Sequence, residues 1–342
     1  MKRGSLLTLP LMGIACAAHA QSSVTLYGVL DDALQYVNAQ PKKAGSLTNL
    51  IQGGERPSRF GVTGTENLGD GVQAIFRLEA GIDPNSGTST QGVLWGRYAY
   101  VGLASRYGTL MLGRNATPLY DFARLYDPEH VYNYGIVKQD AAFNDRADNA
   151  VKYTGQFGPF YTALLYSTSY SGAGEVAGQP KVGRAASAQI DYASGPFEMG
   201  AVAEQIFGST VQTQNDRYRY LSIAANYKLG QAQAFLGFKN ANANVSGRPT
   251  VNTLWWTGVN YSLSPVWKIN DAVYYTDYSG TSSNSLTFAA TVDYYLSKAT
   301  NLYVSASYAR NNGLANIGVN GLGTTDPGTN QTGVMVGISH LF

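Results

Sequence analysis

Apolar and polar residues alternate strictly along most of this chain, which is the period of a β-strand with one apolar face. In LTFAATVDYYL (286–296), the even-numbered positions are Leu, Phe, Ala, Val, Tyr and Leu, whereas the odd-numbered ones are Thr, Ala, Thr, Asp and Tyr. LYVSASY (302–308) and GVMVGISHLF (333–342) alternate in the same way. The closing Phe342 continues the apolar face of its segment, so we expect its ring to lie at the boundary of an apolar environment.

The two faces of these predicted strands indicate lipid outside and water inside. The apolar faces carry Tyr, Phe and Leu with almost no charge, and the opposite faces are too small and polar to fill a dense core. A soluble β-sandwich has the reverse arrangement. A sheet in lipid must also close, because an open edge would leave backbone groups unpaired in hydrocarbon. The pattern therefore predicts an all-β fold, a closed antiparallel transmembrane β-barrel.

Turn signals divide the chain into strands and two kinds of connection. Short turns such as ENLGDGV, QFGPF, ASGPF and KLGQ alternate with long polar stretches, which predict loops at 38–56, 170–184, 241–251 and 311–330. Short turns on one rim and long loops on the other are typical of outer-membrane barrels, which have an even number of strands in bacteria. We expect about 16 strands.

The longest irregular stretch runs from about residue 115 to residue 148 and is rich in aromatic residues. Loops of this length are uncommon unless they are functional. We expect this one to fold inward and narrow the lumen of the barrel.

The first twenty residues, MKRGSLLTLPLMGIACAAHA, predict an export signal, because two basic residues precede an apolar stretch and an Ala-His-Ala exit. We expect residues 1–20 to be removed and residues 21–342 to form the barrel. The alternative is a lipoprotein signal at Cys16, which would usually have a leucine-like residue where Gly13 stands. The remaining chain has no cysteine, and hence no disulfide.

Charge and hydropathy exclude two further classes of protein. Removal of the signal takes away two of the 24 basic residues and none of the 22 acidic ones, so the net charge becomes zero. Nucleic-acid binding proteins usually have a basic excess. After the signal, no apolar run reaches the roughly 18 residues that predict a transmembrane helix.

Five segments together resemble the general-diffusion porins of Gram-negative bacteria, in their beta-proteobacterial branch. These are QSSVTLYGVLDDAL, SRFGVTGTENLGDGVQAIFRLE, YGTLMLGR, NAVKYTGQFGPF and QTGVMVGISHLF, which occur in the expected order over the whole mature chain. The resemblance implies a homotrimer in the outer membrane, a third extracellular loop folded into the pore, and passive diffusion of ions and small hydrophilic solutes. It also implies that Phe342 belongs to the signal that the outer-membrane assembly machinery reads.

Strand alternation places several cations on the lumen side. Arg59 alternates with Phe60 in SRFGVT, Arg97 alternates with Tyr98, and Lys152 follows Val151 in the same way. Turning a cation toward the middle of the bilayer would cost about 2–4 kcal/mol. We therefore expect these side chains to point into the pore.

The resemblance implies an arginine cluster at the constriction, at Arg59, Arg97 and Arg146, with Arg114 as a possible fourth member. Related porins have a basic pair where this chain has Gly96 before a single arginine. We therefore expect only a mild preference for anions.

Carboxylates are expected opposite these arginines. By looser analogy with other porins, Asp121, Asp127 and Glu129 of the long loop are candidates, and alternation adds Glu79 on the wall. The alternative is that these charges only pair across the lumen or hold the loop in place.

Nothing in the sequence indicates catalysis. The mature chain has two histidines, His130 in the long loop and His340 on a predicted lipid-side face. No cluster has the spacing of a metal site, and glycine pairs lie in hairpin turns, so we expect no cofactor. An alternative function is that of a non-conducting surface barrel for adhesion or phage attachment. Outer-membrane lipid and lipopolysaccharide are expected partners of either barrel.

Overall fold

The computed structural model describes residues 23–130 and 133–342, and the predicted signal peptide at 1–20 lies outside the described residues. Within the described ranges the chain forms sixteen antiparallel barrel strands, of which β2 is interrupted. Their bounds are β1 Ser23–Gln40, β2 Gly45–Gln52 and Arg59–Gly69, β3 Val72–Asp83, β4 Tyr98–Ser105, β5 Gly108–Ala116, β6 Arg146–Phe157, β7 Phe160–Ser167, β8 Ala185–Ser194, β9 Phe197–Phe207, β10 Arg217–Leu229, β11 Ala232–Val245, β12 Arg248–Ser262, β13 Trp267–Tyr278, β14 Asn284–Tyr295, β15 Thr300–Asn312 and β16 Gln331–Leu341.

The sheet closes between its first and last strands. Residues 29–37 of β1 pair with residues 333–341 of β16 on one edge, while on the other edge residues 23–29 pair with the second segment of β2 and residues 32–40 pair with the first. At the end of this seam, the backbone of Phe342 exchanges two hydrogen bonds with Gly28, of 2.9 and 3.1 Å. A Cβ atom at position 28 would collide with the ring of Phe342, so a larger residue there would displace that ring. The closed barrel predicted from sequence is confirmed.

The predicted sidedness of the strands is also confirmed. In β14, Thr287, Thr291 and Asp293 are at most 1% exposed, whereas Phe288 and Val292 belong to the exposed row. The exposed rows of the other strands likewise carry Leu, Val, Ile and aromatic residues. Hydrocarbon therefore contacts the outside of the barrel, and the small or polar rows face the interior.

Connections at the two rims differ in length, but two of the predicted loops are wrong in part. Residues 45–52 form the first segment of β2, and residues 241–251 form the ends of β11 and β12 joined at Ser246 and Gly247. Both turn residues have positive φ, of 52° and 78°, as a tight hairpin requires. The alternation of Asn and Ala in 241–244 continues the strand beyond its apolar part, which composition alone does not reveal.

The loop between β5 and β6, residues 117–145, contains helices α1 Pro118–Tyr126 and α2 Ile136–Gln139 and a 3₁₀ turn at Ala141–Asn144. The side chain of Thr117 caps α1 by accepting the N–H of Tyr120 at 3.2 Å, and Pro118 occupies the first helical turn. A second 3₁₀ turn, Pro41–Lys43, follows β1, and two-residue strands lie at Thr88–Ser89, Ile317–Gly318 and Gly321–Leu322. No helix in the described ranges is long and apolar enough to cross a membrane.

Candidate functional site: an arginine pocket beside the β5–β6 loop

The β5–β6 loop packs against inward-facing side chains of the barrel wall. Leu119, Phe122 and Tyr126 of α1 form one buried cluster with wall residues that include Val202 of β9 and Leu254 of β12. The cluster is apolar although it lies on the water-facing side of the strands. The loop therefore brings its own apolar side to cover this part of the wall.

Asp127 joins the loop to the wall and joins the two loop helices to each other. Its Oδ1 accepts a hydrogen bond of 2.5 Å from the hydroxyl of Tyr274, and its Oδ2 accepts one of 3.1 Å from the N–H of Ile136. The neighbouring Tyr126 carbonyl accepts a 2.8 Å hydrogen bond from the indole of Trp256. These contacts give the carboxylate of Asp127 a role in holding the loop.

Glu129 is also fully buried against the wall. Its Oε2 accepts a 2.7 Å hydrogen bond from the hydroxyl of Thr291. Burial raises the pKa of Glu129 well above its usual range, and the nearby carboxylates of Asp127 and Asp293 raise the pKa further. Neither Asp127 nor Glu129 lines the arginine pocket described next.

A cavity of about 250 Å³ lies between the wall and the loop. It is lined by Arg56, Pro57, Arg59, Arg77, Arg97, Tyr98, Tyr120, Arg124 and His130. We call this cavity the arginine pocket. The structure thus brings two of the predicted residues, Arg59 and Arg97, together on its surface.

Glu79 is a carboxylate embedded in the wall of the arginine pocket. Its two oxygens contact Arg77 at 2.5 Å and Arg97 at 2.6 Å, and the hydroxyl of Tyr27 donates to it at 2.7 Å. The side chain of Glu79 is fully buried. It therefore neutralises one of its two arginine partners and orients both.

The remaining charges leave the pocket positive. Arg56 pairs with Glu55 at 2.9 Å, whereas Arg59 and Arg124 have no carboxylate within 4.0 Å in the part of the chain described. Five lining arginines against the carboxylates of Glu55 and Glu79 give a net charge of +3.

Tyr120 lies among three guanidinium groups. Arg146 lies over its ring at 4.2 Å from the centroid, and Arg124 lies at 6.0 Å, one helical turn further along α1. Burial alone raises the pKa of this phenol, but Arg146, Arg97 and Arg124 lower it, and the net shift is downward. Arg146, the third predicted member of the cluster, thus contacts the pocket through Tyr120.

His130 also lines the pocket. Its Nε2 lies 2.7 Å from the side-chain nitrogen of Asn260. Burial, together with the charges of Lys268 and Arg56, lowers the pKa of His130 from 6.5 to about 4. The histidine is therefore uncharged at neutral pH.

Besides Asp127 and Glu129, the predicted residues Arg114 and Asp121 lie outside the pocket. Arg114 contacts Asp148 at 2.5 Å and donates from Nε to the carbonyl of Gly96 at 2.8 Å, at a register irregularity of β5. Asp121 of α1 pairs with Lys152, whose inward orientation on β6 agrees with the alternation of that strand. The Arg114–Asp148 pair joins the two strands that flank the loop, and the Asp121–Lys152 pair ties the loop to the wall.

Sequence reasoning missed five of the lining cations and aromatic residues, among them Tyr98, which the expected alternation with Arg97 had placed on the opposite face. Arg77 alternates with Phe76 and Leu78, so the argument used for Arg59 would also have found it. Tyr120 and Arg124 follow from the four-residue spacing of a helix that was not predicted. Arg56 lies in the interruption of β2, which has no clear signal in the sequence.

A larger cavity of about 810 Å³ lies on the loop side of the barrel, between α2 and the ends of β10–β13. Its charged lining residues are mixed in sign and include Lys138, Asp140, Asp145 and Lys239. Lys239 contacts Asp140 at 2.6 Å. No group of three or more His, Cys, Asp or Glu residues able to hold a metal ion occurs within the described ranges.

Comparison with known proteins identifies the family. A family model described as Gram-negative porin matches residues 7–314. The chain is 28% identical to outer membrane porin protein 32 of Delftia acidovorans over 99% of both chains. It is 31% identical to an outer membrane porin protein of Bordetella pertussis over 63% of this chain and 62% of that one.

Solved structures share the fold. The anion-selective porin from Comamonas acidovorans superposes with a TM-score of 0.83, at 24% identity, over 94% of this chain and 100% of that chain. OmpT of Vibrio cholerae, in its trimer form, gives a TM-score of 0.73 at 16% identity over 94% and 99%. The chain therefore belongs to the Gram-negative porin family and is an outer-membrane porin.

Proposed function

We propose that this porin is a homotrimeric passive channel for ions and small hydrophilic solutes, in which the β5–β6 loop narrows the bore and the arginine pocket mildly favours anions. The observation that carries the proposal is the convergence of five arginines, three of which pair with the carboxylates of Glu55 and Glu79. Rings of basic side chains set the anion selectivity of pores. Arg59, Arg97 and Arg146 are the proposed core of the constriction, and Arg114 a supporting residue at the base of the loop.

The expected preference is modest. Two unit charges about 8 Å apart in water interact by roughly 0.5 kcal/mol, so a net charge of three gives about 1.5 kcal/mol without screening. At physiological ionic strength, screening reduces this by about threefold. The interaction energy that remains after screening is equivalent to roughly a two- to threefold enrichment of a monovalent anion at the pocket and a similar depletion of a cation.

The zero-current potential across a KCl gradient tests this proposal. The wild-type channel in a planar bilayer should prefer chloride. Arg59→Ser/Arg124→Ser should lose most of that preference, because no carboxylate among the described residues forms an ion pair with either arginine. Arg106→Ser is the matched control, since Arg106 is exposed in the short turn between β4 and β5. An unchanged potential in the double variant would remove the arginine pocket from the selectivity mechanism.

Trimer formation is supported by the trimer form of the Vibrio structure with the same fold. Three equal conductance steps per insertion event should be seen in the bilayer, and single isolated steps would contradict the trimer.

We assign the channel no enzymatic activity. We further propose that Phe342, which is 53% exposed and lies beside Gly28, is recognised by the outer-membrane assembly machinery. We also propose that four carboxylates position the loop and the arginines, namely Asp121, Asp127, Glu129 and Glu79.

A further inference from the structure

Two arginines lie on the lipid side of the barrel, away from the pore. In β10 the odd-numbered residues from 217 to 229 face outward, and the order from the loop end is Arg217, Arg219, Leu221 and Ile223. Leu221 and Ile223 are 57% and 49% exposed, as lipid-facing residues should be. The arginines therefore continue the outward row directly beyond its apolar part.

The neighbouring strands add polar groups at the same level. Arg217 is opposite Asn244 and Arg219 is opposite Asn242, both on β11. On the other side, Arg219 is opposite Gln205 of β9 and donates from Nε to its side-chain oxygen at 2.8 Å. We call Gln205, Arg217, Arg219, Asn242 and Asn244 the outer patch.

The apolar rows below the patch fix its height relative to the membrane. The row of Ile223 continues through Phe238 to Trp255, and the ring centroids of Phe238 and Trp255 are 4.4 Å apart, with Trp255 50% exposed. From Leu221 to Leu229 the outward residues of β10 are all apolar, and this stretch matches the roughly 9–11 residues that a strand needs to span the bilayer. The patch therefore lies at the headgroup level of the outer leaflet, on the rim that carries the long loops.

The charges around the patch bear on what it can bind. No ion pair of Arg217 or Arg219 occurs within the described ranges. The adjacent Asp216 is largely buried, and its Oδ1 accepts the N–H of Ser246 at 2.7 Å. Two residues apart on one strand face, the two arginines are separated by about 6.8 Å along the chain. A single tetrahedral anion between them can accept hydrogen bonds from both guanidinium groups.

We propose that the outer patch binds the phosphate group of a glycolipid in the outer leaflet, with Arg217 and Arg219 holding the phosphate and Asn242 and Asn244 donating to phosphate or sugar oxygens. The apolar row of Leu221, Ile223 and Trp255 contacts the acyl chains of the same lipid. A basic residue next to an anionic leaflet contributes favourable binding free energy, and phosphate is the anion found at this depth.

Native mass spectrometry of the purified mature barrel in detergent tests the proposal, with bisphosphorylated lipid A as the probe. Arg217→Gln/Arg219→Gln should weaken its binding by at least about tenfold, since two phosphate-binding cations are lost. Arg106→Gln/Lys298→Gln removes the same charge from two exposed turns on the opposite rim and should bind as the wild type does. Monophosphorylated lipid A should bind the wild type more weakly.

Inorganic phosphate distinguishes a lipid ligand from a free anion. We expect it to compete poorly, because it lacks the acyl chains that contact the row below the patch. Equal binding of lipid A to the wild type and to Arg217→Gln/Arg219→Gln would overturn the proposal, as would full displacement by millimolar inorganic phosphate. The same variant should keep its ion preference in a bilayer, so this result does not depend on the proposed selectivity.

Discussion

The carboxylate of Glu79 lies 2.6 Å from Nε of Arg97, and the two side chains are 0% and 5% exposed. Arg77 shares the same carboxylate at 2.5 Å. A charge pair this deeply buried fixes the position of its arginines more than it adds to stability, because desolvation offsets much of the attraction. The charge available to ions in the arginine pocket therefore comes mainly from Arg59 and Arg124.

Glu79→Gln should make the channel more selective for anions and less stable. The substitution keeps the shape of the side chain but removes one negative charge next to two arginines. Leaving a buried charge uncompensated costs about 3–5 kcal/mol. The zero-current potential should move toward the chloride limit, and the barrel should unfold at a lower temperature in detergent. Glu66→Gln, at an exposed position near the end of β2, should change neither, and a Glu79→Gln channel with reduced anion preference would contradict the charge assignment.

Tyr120 should make the anion preference depend on alkaline pH. The guanidinium groups around it lower the pKa of its phenol below the ordinary value of about 10, despite its burial. Ionisation adds a negative charge to the pocket, so the preference for chloride should fall as pH rises toward that range. Tyr120→Phe should keep the neutral-pH preference and lose this step. An equal fall in chloride preference at alkaline pH in Tyr120→Phe would show that another group is responsible for it.

Glu129 should make the barrel less stable as pH rises. Its pKa is raised in the folded protein, so the folded state retains a proton that the unfolded chain loses above its ordinary pKa of about 4.3. The free energy of unfolding should decline from that pH up to the raised pKa. Glu129→Gln should flatten this decline and unfold at a higher temperature than the wild type at pH 8. Glu175→Gln, in an exposed loop, should follow the wild-type pH profile.

Tyr274→Phe should loosen the β5–β6 loop. The variant loses the hydrogen bond from the Tyr274 hydroxyl to Asp127, and bonds to charged groups contribute about 1.5–3 kcal/mol. We expect noisier single-channel currents and easier proteolysis of the loop. Tyr275→Phe is the matched control, because the adjacent residue faces lipid. Identical current noise in the two variants would show that this contact does not restrain the loop.

The fold could be predicted from the sequence wherever the two faces of a strand differ in hydropathy. β14, β15 and β16 satisfy this condition, because the residues that face lipid are apolar and those that face the interior are small or polar. The prediction was wrong at 241–251, since both faces of the strands there are polar beyond the membrane boundary. A period of two remains in Asn242 and Asn244, but hydrophobicity no longer marks it.

Strand alternation predicts residues of the arginine pocket only in regular strands, and it was wrong about the phase at Arg97, which precedes β4 and whose neighbour Tyr98 also faces inward. Arg59 and Arg77 follow from alternation, because each has lipid-facing neighbours. Arg114 shows the limit of that argument, since the register shifts between Gly113 and Asn115 and the phase of the strand changes there. Tyr120 reaches the pocket through a helix packed on distant strands, a contact that local sequence does not encode.

The seam between β1 and β16 makes folding depend on the whole polypeptide. Because β1 pairs with the last strand to close the sheet, a chain truncated before β16 would have two strand edges with unpaired backbone N–H and C=O groups. Unpaired backbone groups are strongly unfavourable in hydrocarbon. A barrel that lacks its last strand should therefore not be stable in the membrane. Premature stop codons should therefore yield no leaky partial pores, only chains left in the periplasm for proteases.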